Sequence, residues 1–358
     1  MRELFLDATD STDQLYKLSF FSASQGFVAF QDWIGYTTDS GRTFAERPIT
    51  NTNVNFNGYD VNLTFGFGIA GVKSFDQNTV IAYGDYGLVP AILYSTNGGS
   101  SYTLIFQSQF NPQQLSTGIT DMVFPQNDNI GFAVDADRIL KTTDGGMTWT
   151  VVSTNPGSFF DYLEAVDDNH VYAFSIGSHS NKLLATTNSG GSWQQMSLPA
   201  GSLTYASFIS ANNGWVDVTD NNNNGDLYYT SNGGASWVQK NNAVATPFSC
   251  RKMKFINDST GYAALGFFDV YKTSDSGKVW EPLPRDNHFT YLGYTFNDLQ
   301  YMTNNQLWAG GAHGFLELGT AGGGTPLPLA FFLIDSSGLA GSGQVHLTNY
   351  SRPTYSYQ

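Results

Sequence analysis

The stretch Thr142-Thr143-Asp144-Gly145-Gly146-Met147-Thr148-Trp149 decides the fold, because the chain repeats it. Copies run from Thr37 to Phe44, Ser95 to Tyr102, Thr186 to Trp193, Thr230 to Trp237 and Thr273 to Trp280. The shared pattern is Ser/Thr-x-Asp/Asn-x-Gly-x-Ser/Thr-aromatic, with Phe44 and Tyr102 in place of Trp and Val279 in place of Ser/Thr. The fifth-position glycines, Gly41, Gly99, Gly146, Gly190, Gly234 and Gly277, stand 58, 47, 44, 44 and 43 residues apart. A repeat of this period made of short strands points to propeller blades. Each copy reads as a hairpin turn. The Asp or Asn side chain accepts backbone N–H bonds, the glycine supplies a positive φ, and the aromatic opens the next strand and packs beneath the turn. Three copies carry Asn97, Asn188 or Asn232 in the acidic position, which favours a turn-building role over six catalytic acids.

A second signature lies upstream of each copy: an apolar run, a polar turn, then Gly-aromatic-apolar. It appears as Gly26-Phe27-Val28-Ala29, Gly131-Phe132-Ala133-Val134, Gly214-Trp215-Val216 and Gly261-Tyr262-Ala263-Ala264, with degenerate versions at Thr79-Val80 and His170-Val171. A seventh, Gln306-Leu307-Trp308-Ala309, has no box after it. The expected fold is therefore all-β: a seven-bladed propeller whose last blade is incomplete. The N-terminal Glu3-Leu4-Phe5-Leu6-Asp7 belongs to no blade, so it is expected to pair with residues 314–318 and close the ring. Closure removes sheet edges that would otherwise recruit other chains.

The box resembles the Asp-box (BNR) repeat. Proteins with such boxes include sialidases, xyloglucan-cleaving glycosidases, the sortilin ectodomain and the photosystem II assembly-factor propellers. Enzymes and non-enzymes share it, so the resemblance implies the propeller and leaves the activity open. The sortilin and assembly-factor likeness implies a protein or peptide partner. The assembly-factor version carries a basic patch, whereas this chain is acidic overall.

Composition narrows the classes. The chain has 358 residues, 41% hydrophobic and 15% aromatic, enough for a large core. The repeat makes residues 1–320 one unit, followed at 321–358 by a Gly/Pro linker and a truncated appendage. That tail is similar to the linker and first strand ahead of C-terminal sorting modules in secreted proteins of the Bacteroidota. The net charge of −14, with 16 Lys+Arg, excludes nucleic acid as a natural partner, since phosphate binding requires basic patches. No apolar run approaches the roughly 20 residues of a membrane-spanning helix, so no membrane insertion is expected. A lone Cys250 rules out an internal disulfide or a cysteine metal site. Met1-Arg2-Glu3 is no signal peptide, and only 13% of residues are charged. Together these read as an extracellular or cell-surface chain, monomeric, whose signal has been removed.

The turns after the Gly-aromatic strands should share one face, and they supply the candidate ligand-binding residues. These are Asp32, Trp33, Asp85, Tyr86, Asp135, Asp137, Arg138, His179, Asp269 and His313, with Asp217 in the equivalent part of blade five. The segment from the signature to the box glycine is 20 residues in blades two, four and five, against 15 or 16 in the others, so those loops are natural places for added function. In blade five, Asp220-Asn221-Asn222-Asn223-Asn224-Gly225-Asp226 has the opening spacing of a calcium loop. Asp220, Asn222, Asn224 and Asp226 would supply the oxygens, and Ser231 stands where the bidentate Glu of that loop would be. Calcium is the one cofactor the sequence suggests. Sialidase chemistry needs a convergent arginine cluster, and the seven arginines here are scattered. The expected function is non-catalytic recognition of a glycan or protein through loops on one face. The alternative is a glycoside hydrolase using an Asp pair on a neutral polysaccharide.

Overall fold

A computed structural model describes residues 2–5, 15–31, 33–41, 43–50, 54–56, 59–60, 67–87, 89–107, 118–126, 128–155, 158–177, 179–220, 224–240, 250–265, 269–283, 296–302, 306–311, 316–320, 330–334 and 347–349. Every regular element among them is a β-strand. Six blades follow one plan, in which four consecutive strands pair antiparallel and a box joins the third to the fourth. In blade one these are Leu15–Phe20, Gly26–Phe30, Ile34–Thr37 and Ala45–Arg47. Blade two also takes on the hairpin Val54–Phe56 and Tyr59–Asp60, which pairs parallel to its outer strand.

The expectation of a seven-bladed ring is corrected to six repeat blades and a closing sheet of different make. That sheet is assembled from separate parts of the chain: Phe296–Tyr301, Gln306–Gly311 and Leu316–Thr320, then Arg2–Phe5, then Ala330–Ile334 and Leu347–Asn349. The N-terminal strand does pair antiparallel with Leu316–Thr320, Glu3 opposite Glu317. It is not the outermost strand, because Ala330–Ile334 pairs parallel to its other edge. The physical reason for the difference is the missing box. Without that turn after Leu316–Thr320, the chain cannot fold straight back, and its fourth strand comes from elsewhere.

The box works through short local bonds. The Thr142 hydroxyl donates to Asp144 Oδ1 at 2.8 Å and accepts from Gly146 N at 2.9 Å. Asp144 in turn accepts from Thr148 N at 2.9 Å and from the Thr148 hydroxyl at 2.6 Å. Gly146 sits at φ 86°, where a side chain would be strained. In the Asn copies the last bond reverses: Asn97, Asn188 and Asn232 donate through Nδ2 to the hydroxyls of Ser101, Ser192 and Ser236 at 2.8, 3.0 and 2.8 Å. A hydroxyl both donates and accepts, which is why Asp and Asn interchange at this position.

Adjacent blades are joined by stacked rings. Phe208 lies on Tyr172 of the preceding blade at 3.6 Å, and Phe255 on Trp215 at 3.7 Å. Phe20 lies on Trp308 of the closing sheet at 3.8 Å. This explains the Gly-aromatic signature. A side chain at Gly214 would collide with the Phe208 ring, so glycine admits the ring and the next residue, Trp215, carries the stack onward. Around the seam, Asp298 Oδ2 accepts from Leu18 N at 2.8 Å, and Gln300 bonds both N and O of Phe20 at 2.9 and 3.0 Å. Asn297 Nδ2 donates to Leu15 O at 2.8 Å.

Candidate functional site at the channel mouth

The first strand of each blade lies innermost, and six of the seven inner strands carry a bulge at the same level. The register slips between Leu15 and Lys17, Ile69 and Gly71, Ile119 and Asp121, Leu203 and Tyr205, Cys250 and Lys252, and Phe296 and Asp298. A bulge leaves one residue unpaired and re-aims its side chain. The six bulged residues are Tyr16, Ala70, Thr120, Thr204, Arg251 and Asn297, and all six line one pocket of about 550 Å³ at the mouth of the ring. Tyr162, Ser202 and Cys250 complete its inner wall, while Ile176 and Gly177 reach in from the long loop of blade four.

Its floor is a charge network spanning the ring. Lys17 Nζ donates to Asp121 Oδ1 at 2.7 Å and lies 3.9 Å from Asp298. Asp121 Oδ2 accepts from Leu163 N at 3.0 Å. Lys252 Nζ is 3.7 Å from Asp298 and 3.3 Å from the Tyr205 hydroxyl, over the face of Tyr162 at 4.2 Å. Gly71 makes room in blade two: a side chain there would collide with the buried Tyr83 hydroxyl, which stands beside Lys17 and Asp121. Burial pushes the Asp121 carboxyl up, but the charges of Lys17 and Lys252 and the Leu163 N–H outweigh it and hold it below the usual range. Burial also works against the charged form of Lys17, and the carboxylates Asp121 and Asp298 more than reverse it, so Lys17 stays firmly protonated. At Lys252 burial and the repulsion of Lys17 prevail, and its ammonium is displaced downward. Arg251 stands exposed at the wall above this floor.

The described turn residues among those expected to bind ligand lie at this end. The start of each inner strand pairs with the end of the next strand, as in Leu15 with Phe30, Ile119 with Asp135 and Ser202 with Thr219. The boxes lie at the opposite end. None of the described turn candidates lines the pocket; Asp135, Asp137 and Arg138 of blade three lie together away from it. Trp33 stacks on Phe30 at 4.1 Å. Asp85 and Tyr86 end the second strand of blade two, with Asp85 opposite Pro90. Asp135 is fully buried and binds Arg138 Nε at 2.9 Å. Burial raises the Asp135 carboxyl, and nearby buried Asp137 adds to this against the pull of Arg138. His179 Nδ1 is 2.7 Å from Asp161 Oδ1 and rests against Phe159. Asp269 is described only in its backbone, opposite Leu265. Asp32 and His313 lie outside the described residues.

Of the calcium-loop residues, Asn222 also lies outside them. Asp220 Oδ1 accepts from Asn224 N at 2.8 Å, and Asp226 Oδ1 accepts from Gln239 Nε2 at 2.9 Å. Asp217 is inside blade five rather than on a turn. It is fully buried, accepts a bond from the Thr204 hydroxyl, and lies 3.4 Å from Cys250 N. Burial raises its carboxyl to about 7 against those two donors.

The turn chemistry of the sequence points to the loops and not to the floor residues, which lie inside strands. The available signal was a charge one or two places into an apolar strand: Lys17, Asp121, Lys252 and Asp298 each precede Leu or Met.

A sequence profile described as "Photosynthesis system II assembly factor YCF48" matches residues 105–285, half of the chain. The chain belongs to the YCF48 family. This settles the Asp-box resemblance and overturns the extracellular or cell-surface location, since the family is described by a role in photosystem assembly. Among solved structures, "YCF48 bound to D1 peptide" superposes with a TM-score of 0.63 at 16% identity, covering 88% of this chain and 95% of that one. YCF48 from Cyanidioschyzon merolae gives 0.62 at 16%, covering 86% and 95%. A xyloglucanase from Xanthomonas campestris gives 0.56 at 12%, covering 86% of this chain and 53% of the enzyme. At these identities the YCF48 and xyloglucanase structures share the fold alone with this chain. No curated protein sequence matches it.

Proposed function

We propose that this YCF48-family propeller is a protein-binding factor that holds a segment of a partner polypeptide in the channel-mouth pocket. The observation that carries the reading is the pocket itself: about 550 Å³, formed by the six bulged residues, with exposed Arg251 above a floor of paired charges. Family membership supports it, and so does the neighbouring YCF48 structure, whose bound partner is a D1 peptide. In a chain of net charge −14, a guanidinium at the mouth favours a segment carrying an acidic group, which it can bind in bidentate fashion. The glycosidase alternative needs two carboxyls at one cleft. Among the described residues lining the pocket, Asp121 is the single carboxylate, and it is committed to Lys17 and Leu163 N.

The test is a display library of short peptides panned on the whole chain, with Arg251→Glu as counter-screen. Acidic peptides should be enriched, and their affinity should fall at least about tenfold in the variant, the loss of one charge-assisted contact. Equal binding by the two proteins, or enrichment of basic peptides, would overturn the reading.

A further inference from the structure

We infer that Lys252 is a carbonyl-reactive amine, forming an imine with a small aldehyde that enters the channel-mouth pocket. Two lysines meet at the floor of this pocket, and their surroundings separate their roles. Lys17 is locked to Asp121 at 2.7 Å. Lys252 has no such partner: its nearest carboxylate, Asp298, is 3.7 Å away, and that group already accepts from Leu18 N. The rings of Tyr162 and Tyr205 lie at 4.2 and 5.1 Å to their centres, and the charges of Lys17, Asp121 and Glu164 also reach it. The bulge at Arg251 turns Lys252 inward, so that it lines the pocket while its side chain is only 6% exposed.

Burial and the charge of Lys17 both favour loss of its proton. A buried lysine beside a second cation is one arrangement used by lysines that form Schiff bases. In the reaction, Nζ adds to the carbonyl carbon. The two amine hydrogens then leave with the carbonyl oxygen as water, and a C=N bond replaces C=O, with no oxidant or reductant required. The Tyr205 hydroxyl, 3.3 Å from Nζ, is placed to hand on a proton during the loss of water. Exposed Arg251 on the same wall favours an aldehyde that carries an anionic group.

The experiment uses the full folded chain with pyridoxal 5′-phosphate at neutral pH, trapping by sodium borohydride, and peptide mapping of the nine lysines. Lys252 should be labelled several-fold faster than exposed Lys278, since a lowered amine holds a larger uncharged fraction. Unfolding in urea should erase the preference, and Lys252→Arg should remove the fast-labelled site. Labelling dominated by Lys278, or by half-buried Lys73 with its own lowered amine, would overturn the assignment.

Discussion

Replacing Asp217 with Asn isolates the cost of one buried carboxyl. Burial lifts this group from 3.8 to about 7. In the window from about pH 4 to 7 the folded chain therefore holds a proton that the unfolded chain has released. The unfolded state binds fewer protons, so this group's contribution to stability falls as pH rises through the window and levels off above it. Three units of displacement correspond to about 4 kcal/mol of destabilisation by pH 8. Asn carries no charge and avoids that cost. It places an amide where Asp217 Oδ1 is buried with no hydrogen-bond partner among the described residues, which costs about 1–3 kcal/mol. The expected balance is a variant more stable than the parent by about 1–3 kcal/mol at pH 8, and less stable by about 1–3 kcal/mol at pH 4, where only the amide's cost remains. Urea unfolding of both proteins from pH 4 to 8 measures this. The difference between them is what matters, because carboxylates held low, such as Asp144, Asp167 and Asp275, give both proteins the opposite trend. A difference that does not change with pH, or a variant weaker at pH 8, would refute the reasoning.

Three further outcomes follow from the geometry. Gly71→Ala drives a methyl into the Tyr83 hydroxyl and should cost about 1–3 kcal/mol in urea unfolding, with Tyr83→Phe in the same background recovering part of it. Asp298→Ala removes the acceptor of Leu18 N and a counter-charge of Lys17 and Lys252, so a loss of about 2–5 kcal/mol is expected from calorimetric melting. Asn188→Asp should stay within about 0.5 kcal/mol of the parent, because the Ser192 hydroxyl can turn from acceptor to donor.

The boxes were legible because the side-chain bonds that shape the turn span two to four residues. The closing role of the N-terminal strand was legible from one absence, that of a box after Trp308. The pocket was not, because its floor joins residues far apart in sequence. Lys17 meets Asp121 across 104 positions, and Asp298 meets Leu18 N across 280. The bulges that aim Tyr16, Thr120 and Arg251 inward have no local motif; they show only when two strands are paired. Asp217 misled for the opposite reason. Aspartate favours turns, yet here it sits inside the strand Gly214–Thr219, held by a threonine from the neighbouring inner strand.

The reversible hydroxyl, present in five of the six boxes and replaced by Val279 in the last, has a consequence for the whole molecule. Exchanging Asp for Asn alters the charge of one end of the ring by a full unit while the turn keeps its shape. With five such positions, three already neutral, that end can be tuned in charge step by step without passing through a misfolded variant. The pocket lies at the other end, where Lys17, Asp121, Lys252 and Asp298 share one charge network and a change of charge at one is felt by the others. One end of the ring is thus free to drift in charge, and the other is fixed by its own pairing.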